Sequence, residues 1–256
     1  MISVAHGLPN LTESGRRRRN AAVLVVAGLL LFTGCEDSLG APPPPPDGPS
    51  ALTACVTADD ELIADVNDDG LPDRVADPSG YGAGLAITFG VGTAHETTSR
   101  PRDLADHAGE HQSQVRAAVA DFDRDGWSDL VVVAGRRQGG DDPIPPKVAE
   151  LRLGPFSDSG RSRRIRRLDL GATQNIAVAD FDHDRYPDLG AFTYVGDGVF
   201  SREARLGERA RGLGPDTREF TEDNVDPGNR DSVAFPNAGL APFYPPCGSD
   251  DTAPGA

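Results

Sequence analysis

Short runs of apolar and β-branched residues alternate along the chain with polar turns rich in glycine, proline and aspartate. Residues 115–120 and 130–133 are two such runs, and an acidic turn separates them. Apolar runs of roughly four to eight residues between turn residues are typical of β-strands. The chain also contains 30 glycines and 22 prolines, which favour turns over long helices. The pattern therefore predicts an all-β fold built from many short strands.

The apolar run at residues 21–32 is flanked by basic residues on one side and small residues on the other. Four arginines precede it at residues 16–19, and Thr33-Gly34-Cys35 follows it. A basic segment, an apolar core and small residues before a cleavage point are typical of a secretory signal. The run is shorter than the roughly 20 residues that span a bilayer. The stretch ending at Cys35 resembles a bacterial lipobox, which implies lipidation of that cysteine and cleavage just before it. An ordinary signal with an incidental cysteine is the alternative.

These features divide the chain into three parts. Residues 1–35 are predicted to be a lipoprotein signal peptide, which would place the protein at the cell membrane, facing the extracellular or periplasmic side. Residues 36–50 contain five consecutive prolines and are predicted to be an extended linker. Residues 51–256 form the folded domain. Near its ends lie Cys55 and Cys247, which we expect to form a disulfide in an oxidising compartment, with two free thiols as the alternative.

Three acidic nine-residue segments recur in the folded domain. They begin at Asp65, Asp121 and Asp180, which are 56 and 59 residues apart. Each carries oxygen-bearing side chains at positions 1, 3, 5 and 9. These candidate metal ligands are Asp65, Asn67, Asp69 and Asp73; Asp121, Asp123, Asp125 and Asp129; and Asp180, Asp182, Asp184 and Asp188. The residues at position 7, expected to contribute backbone carbonyls, are Leu71, Trp127 and Tyr186.

This spacing suits calcium, which prefers about six to eight oxygen ligands at roughly 2.3–2.6 Å. In a tight loop, alternate side chains converge on one point, and glycine at position 6 permits the turn. The pattern predicts up to three structural calcium ions, with a weaker third site because Arg185 replaces that glycine. An EF-hand would need glutamate at position 12, but Ala76, Val132 and Ala191 stand there.

The loops and the turns after them resemble the FG-GAP repeat, also called the VCBS repeat, of integrin-α-like β-propellers. The pattern Asp-x-Asp/Asn-x-Asp-Gly-x-x-Asp is followed by glycine-rich turns such as Phe89-Gly90 and Leu153-Gly154. The resemblance implies a β-propeller-like array of about three to four four-stranded blades with calcium-binding loops. Residues 223–231 read as a decayed fourth loop. Three blades do not close easily into a ring. Either a fourth blade built from both chain ends closes it, or the array stays open and covers its edge strands by pairing with another subunit.

The net charge and the short motifs argue against some classes of function. The formal net charge of −15 argues against a nucleic-acid partner. No complete catalytic centre is visible, so we do not expect an enzyme. Residues 107–111 match the H-x-x-E-H zinc pattern, but a glycine interrupts the helix that it needs. Five arginines between residues 161 and 167 indicate a contact with a sulfated or uronic polysaccharide or an acidic partner, with a solvated strand and turn as the alternative.

The leading hypothesis from the sequence is a lipid-anchored calcium-binding module. Its role would be adhesion or binding of an extracellular protein or polysaccharide, and its membrane contact would be the lipid anchor. A carbohydrate- or phospholipid-active hydrolase or lyase, and a vestigial repeat protein, are the alternatives.

Overall fold

The computed structural model describes residues 42–44, 46–78, 81–219, 235 and 238–248. The expected signal peptide with Cys35 lies outside the described residues. The expected decayed loop at residues 223–231 lies outside them as well. Of the expected linker, only the part from residue 42 onward is described, apart from residue 45.

The described residues form three antiparallel sheets. The first contains β1 (Cys55–Val56), β2 (Leu62–Ala64), β3 (Asp73–Ala76), β4 (Ala86–Phe89) and β5 (Thr97–Ser99). The second contains β6 (Gln114–Ala120), β7 (Asp129–Gly135), β8 (Val148–Leu153) and β9 (Arg164–Arg167). The third contains β10 (Ala172–Ala179), β11 (Asp188–Gly196), β12 (Val199–Glu208) and β13 (Gly212–Glu219). In chain order, a short helix α1 (Pro101–Leu104) and a 3-10 helix (Asp106–Gly109) connect β5 of the first sheet to β6 of the second.

Each sheet is a meander in which strands pair in chain order. The all-β prediction is confirmed, and so is the strand–loop–strand setting of the second acidic segment between β6 and β7. The second and third sheets have the four strands expected of a blade, whereas the first has a fifth strand, β1, paired to β2. No helix among the described residues has the length and apolar character of a membrane span.

Small and β-branched residues allow the sheets to pack closely. All residues of β7 are buried, as are residues 117–120 at the end of β6. Strands buried on both faces read as continuous apolar runs rather than alternating ones. The sheets also bond to one another: the Ala117 amide donates to the Gly82 carbonyl at 2.8 Å, and the Gln114 side chain donates to the Gln174 carbonyl at 2.6 Å. Strand β6 therefore connects its neighbours on both sides.

The segment 238–248 joins the end of the described chain to its beginning. Cys247 forms a disulfide with Cys55, with their Cα atoms 4.9 Å apart. Beside it, Pro246 makes a parallel bridge to Val56 of β1. The same segment reaches the third sheet, because the Gly239 amide donates to the Val178 carbonyl at 3.1 Å. The segment thus contacts both the first and the last of the three sheets.

Candidate metal sites in three equivalent loops

The three acidic segments lie at equivalent places, linking β2 to β3, β6 to β7 and β10 to β11. Their backbones follow the same path, because positions 4 and 6 of each loop adopt positive φ angles. These angles are 62° at Asp68, 52° at Arg124, 64° at His183, 77° at Gly70, 93° at Gly126 and 69° at Arg185. Arg185 therefore keeps the glycine conformation in the third loop, at a steric cost that glycine would avoid.

The aspartate at position 9 fixes each loop to its sheet. Asp73, Asp129 and Asp188 are fully buried. One oxygen of each accepts the amide of position 2, at 2.9, 2.9 and 2.7 Å respectively. The other accepts the amide of a glycine near the end of β4, β8 or β12, at 2.8, 2.8 and 2.7 Å. Each carboxylate therefore ties its loop to the next strand of the same sheet.

The glycines that donate to these carboxylates explain the second half of the repeat pattern. They are Gly90, Gly154 and Gly207. A Cβ at Gly154 would lie 2.4 Å from the Ser128 carbonyl oxygen, and one at Gly207 would lie 2.5 Å from the Pro187 carbonyl oxygen. No side chain fits at Gly154 or Gly207, and Gly90 has a φ angle of 61° that favours glycine. The glycine and the buried aspartate therefore form one structural unit.

The remaining oxygen ligands are held inward by the backbone of their own loop. Position 1 accepts the amide of position 6 at 3.0, 3.0 and 3.2 Å in the three loops. Position 3 accepts the amide of position 5 at 3.2, 3.2 and 3.3 Å. Position 5 accepts the amide of position 7 at 2.8, 2.9 and 2.7 Å. The three loops thus share one hydrogen-bond network, and the position 5 side chains Asp125 and Asp184 take part in it without joining the clusters described next.

Two acidic clusters result that could hold a metal ion. The cluster in the second loop consists of Asp121, Asp123 and Asp129. The cluster in the third loop consists of Asp180, Asp182 and Asp188. In each cluster the ligand oxygens lie within 4.8 Å of one another. The first loop differs at position 3, where Asn67 supplies an amide oxygen in place of a carboxylate.

Electrostatics favours a cation at these places. Burial raises the pKa of Asp129 well above its usual value, the pKa of Asp121 to about 7, and those of Asp73 and Asp188 to about 6. In each case neighbouring carboxylates of the same loop add to the rise. A bound cation would offset both the lost hydration and the repulsion.

An orphaned oxygen supports the same conclusion in the third loop. The Oδ1 atom of Asp180 is buried and has no hydrogen-bond partner among the described residues. Buried polar atoms normally have a partner, so this oxygen is open to a metal ion. The all-oxygen donor set of Asp180 and its neighbours fits a hard divalent cation such as calcium.

Position 5 of the second loop has a partner that competes with a metal. The Arg164 guanidinium donates to Asp125 Oδ2 at 2.9 Å and to the Gly154 carbonyl at 2.7 Å. Asp125 is therefore shared between its own loop and β9. This contact was not predicted, although the arginine cluster in the sequence was its visible signal.

A second contact with the loops lies far away in the sequence. The Asp121 amide donates to the hydroxyl of Tyr244 at 2.7 Å. Tyr244 belongs to the segment that carries Cys247, so the disulfide and the second loop are coupled through a few residues. No local pattern marked Tyr244, because the contact spans 123 residues.

The side chains at position 7 do not share one role. Leu71 is 40% exposed, whereas Trp127 is buried and donates from Nε1 to the Gly48 carbonyl at 2.6 Å. The ring of Tyr186 faces Arg124 of the second loop, with the guanidinium carbon 4.8 Å from the ring centroid. Their contribution of carbonyl ligands stays a prediction.

The arginine cluster at residues 161–167 is largely committed to contacts within the chain. Besides Arg164, Arg161 pairs with Asp106 at 3.1 Å, and Arg163 donates to the Pro43 carbonyl at 2.7 Å. Arg166 donates to the Arg211 carbonyl at 2.7 Å. The cluster therefore joins loops and sheets together.

The histidine motif at residues 107–111 does not form the helix that zinc chemistry would need. The 3-10 helix ends at Gly109, and His111 has a φ angle of 62°. His107 instead contacts Glu110, with Nδ1 2.9 Å from Oε1. The two histidines therefore do not share one helical face.

Comparisons with protein-family models, with curated proteins and with solved structures find no match for this chain.

Proposed function

We propose that this chain is a calcium-stabilised binding module of the FG-GAP, or VCBS, repeat type, anchored outside the cell by a lipid on Cys35. The three sheets would be successive blades of a propeller-like array. The module would bind an extracellular protein or polysaccharide, and the ions would hold its loops in shape.

The observation that carries the proposal is the recurrence of one hydrogen-bond network at three places. Chance acidic turns would not repeat the same buried position 9 aspartate, the same glycine donor and the same two left-handed residues. Recurrence at 56 and 59 residues indicates a repeated structural unit with one shared purpose.

The chemistry of the ligands supports calcium over zinc. Every candidate side-chain ligand is an oxygen, whereas zinc sites favour histidine and cysteine. The ligands sit on short hairpins exposed to solvent on one side, where site affinities of about 10⁻⁴–10⁻³ M are typical of extracellular modules. Such sites fill in an extracellular medium, which fits the proposed location.

Thermal unfolding tests the proposal. Calcium that binds only the folded state stabilises it, so the melting temperature should rise with added calcium and fall with chelator. An Asp129→Asn or Asp188→Asn variant should lose part of that calcium-dependent rise. Asp59→Asn makes the same chemical change in an exposed turn outside the loops, and this control should keep all of the rise.

Two results would contradict the proposal. One is a melting temperature that calcium leaves unchanged in the native chain. The other is an equal calcium response in Asp129→Asn, Asp188→Asn and Asp59→Asn. The anchor is tested separately, by the mass of the membrane-extracted protein, which should show cleavage before Cys35 and an added lipid.

A further inference from the structure

A cleft of about 670 Å³ lies between the second and third sheets, at the end of the strands opposite the acidic loops. Gln114 begins β6 and pairs with Gly135, whereas Ala120 ends β6 beside the second loop. At about 3.3 Å per residue, the cleft lies roughly 20 Å from the candidate metal ligands of that loop. None of those ligands lines it.

Side chains on facing strands fix the floor of the cleft. Arg116 of β6 donates from Nε to the Asn175 side chain of β10 at 3.2 Å, and from Nη1 to the Val115 carbonyl at 3.1 Å. Its Nη2 has no partner among the described residues. Arg116 is thus held in place with one guanidinium nitrogen left to donate to a ligand, and little further ordering is needed on binding.

A second arginine, Arg137, lies at the rim of the cleft. Arg137 lies on the loop between β7 and β8, and its amide donates to Ser113 Oγ at 2.7 Å. The neighbouring Gln138 side chain orders this loop through contacts with Gly140, Asp142 and Ile144 at 2.9, 2.6 and 3.1 Å. The loop that presents Arg137 is therefore preorganised.

In the described part of the chain, the two arginines of the cleft have no acidic partner. Neither Arg116 nor Arg137 forms an ion pair among the described residues. Asp141 also lines the cleft, but it pairs with neither arginine. Burial lowers the pKa of Arg116, and the nearby Arg137 lowers it further. In a chain of net charge −15, two unpaired guanidiniums in one cleft indicate an anionic ligand.

The opposite wall is aromatic. Phe192 and Phe200 stack with ring centroids 4.7 Å apart, and Tyr194 lies 5.1 Å from Phe200. Phe192 and Tyr194 are buried, whereas Phe200 is partly exposed and faces the cleft. A partly exposed ring beside amide and guanidinium groups suits a ligand with both an apolar face and hydrogen-bonding edges.

Two β-bulges shape this wall. The pairing of β10 with β11 shifts between Thr173 and Asn175, and the pairing of β11 with β12 shifts between Tyr194 and Gly196. The corresponding pairing of β6 with β7 runs without a shift. Bulges often re-aim side chains next to functional sites, and here both fall at the cleft.

We propose that this cleft binds a short acidic oligosaccharide, with a uronate carboxylate held by Arg116 and Arg137 and a sugar ring against Phe200. The side-chain amides of Gln174 and Asn175 are placed to contact hydroxyl groups. This inference rests on the proposed function, because it names the ligand class of the binding module.

Calorimetric titration of the calcium-loaded protein tests the inference. The probes are an oligogalacturonate, an oligomannuronate and a hyaluronan oligosaccharide, with a neutral galacto-oligosaccharide and citrate as comparisons. At least one acidic sugar should bind, more weakly at high salt. Arg116→Gln and Arg137→Gln should each weaken binding about tenfold or more.

A matched variant controls for charge alone. Arg209→Gln removes the same charge from an exposed turn at the other end of the third sheet, and it should change affinity by no more than about twofold. Arg137 is exposed, so its variant tests the site even where Arg116→Gln fails to fold.

Three outcomes would overturn the inference. They are no binding of any acidic sugar, equal weakening by Arg209→Gln, and equally tight binding of citrate or the neutral sugar. The calcium response of the melting temperature is measured on the same preparation. A protein that responds to calcium but binds no acidic sugar refutes the cleft and leaves the proposed function standing.

Discussion

At the scale of single residues, the buried aspartates decide how the fold responds to protons and cations. Asp73, Asp129 and Asp188 each satisfy two backbone amides while standing near other carboxylates. The amides favour the ionised form, but burial outweighs them and raises the pKa of each group. Without a cation, these residues therefore bind protons more tightly in the folded state than in the unfolded state.

This difference sets the expected pH dependence. For the metal-free protein, the contribution from Asp73, Asp121 and Asp188 is fully present below about pH 4 and is lost as pH rises through their folded pKa values of about 6 to 7. The melting temperature of chelated and desalted protein should fall across that interval. Because calcium competes with protons, its stabilising effect should be larger at pH 7.5 than at pH 5.

Scanning calorimetry at both pH values, with and without calcium, checks this expectation. A calcium-induced rise of equal size at pH 5 and pH 7.5 would show that the buried carboxylates are not the groups that calcium engages.

At the scale of the loop, two left-handed positions allow the acidic side chains to converge. Position 6 is glycine in two loops and Arg185 in the third, with the same backbone conformation. The third loop shows that a side chain is sterically possible there at some cost in strain. The surroundings then determine how much more a substitution costs.

Two alanine substitutions separate these costs. Gly70→Ala should lower the free energy of unfolding by about 1 kcal/mol, because an added Cβ meets nothing within 4 Å and only backbone strain remains. Gly126→Ala should cost more, because its Cβ would lie 2.8 Å from Pro49 Cβ. Urea unfolding measures both.

Gly48→Ala is the control, since its Cβ also meets nothing and its φ angle is not in the left-handed region. Equal losses in Gly70→Ala and Gly126→Ala would mean that the contact with Pro49 is not present in solution.

The loops were predictable from the sequence because their contacts are local. Alternating oxygen side chains, a turn glycine and flanking β-branched runs lie within about 20 residues of one another, which is the range that periodicity can report. The cleft arginines and Tyr244 were not predicted. Their partners lie in other sheets, such as Asn175 for Arg116, and nothing in the local sequence indicates that proximity. The fifth strand of the first sheet, β1, was missed because it has only two residues.

At the scale of the whole molecule, the segment 238–248 holds distant parts of the chain together. It bonds to β1 through Val56, to the second loop through Tyr244 and to the third sheet through Gly239. The Cys55–Cys247 disulfide secures it across 192 residues of sequence. Its contacts with three separate regions make it a long-range connection among the described residues.

Replacing both cysteines by serine should therefore lower the free energy of unfolding by about 2–5 kcal/mol. Because Tyr244 is three residues from Cys247, the double variant should also need more calcium for half-maximal stabilisation. Tyr244→Phe, with the disulfide intact, should reproduce part of the calcium effect, because it removes the hydroxyl that accepts a hydrogen bond from the Asp121 amide. A double variant as stable as the native chain would contradict this role.

The disulfide also constrains the order of events during synthesis. A chain is made from its N-terminus, so β1 and the Cys55 thiol emerge long before Cys247 and wait with an uncovered strand edge. Oxidation is then a late step that completes the first sheet with the last described segment. Refolding from the reduced, denatured state should accordingly be slower than refolding with the bond already formed, since the latter chain begins its search with its two ends together.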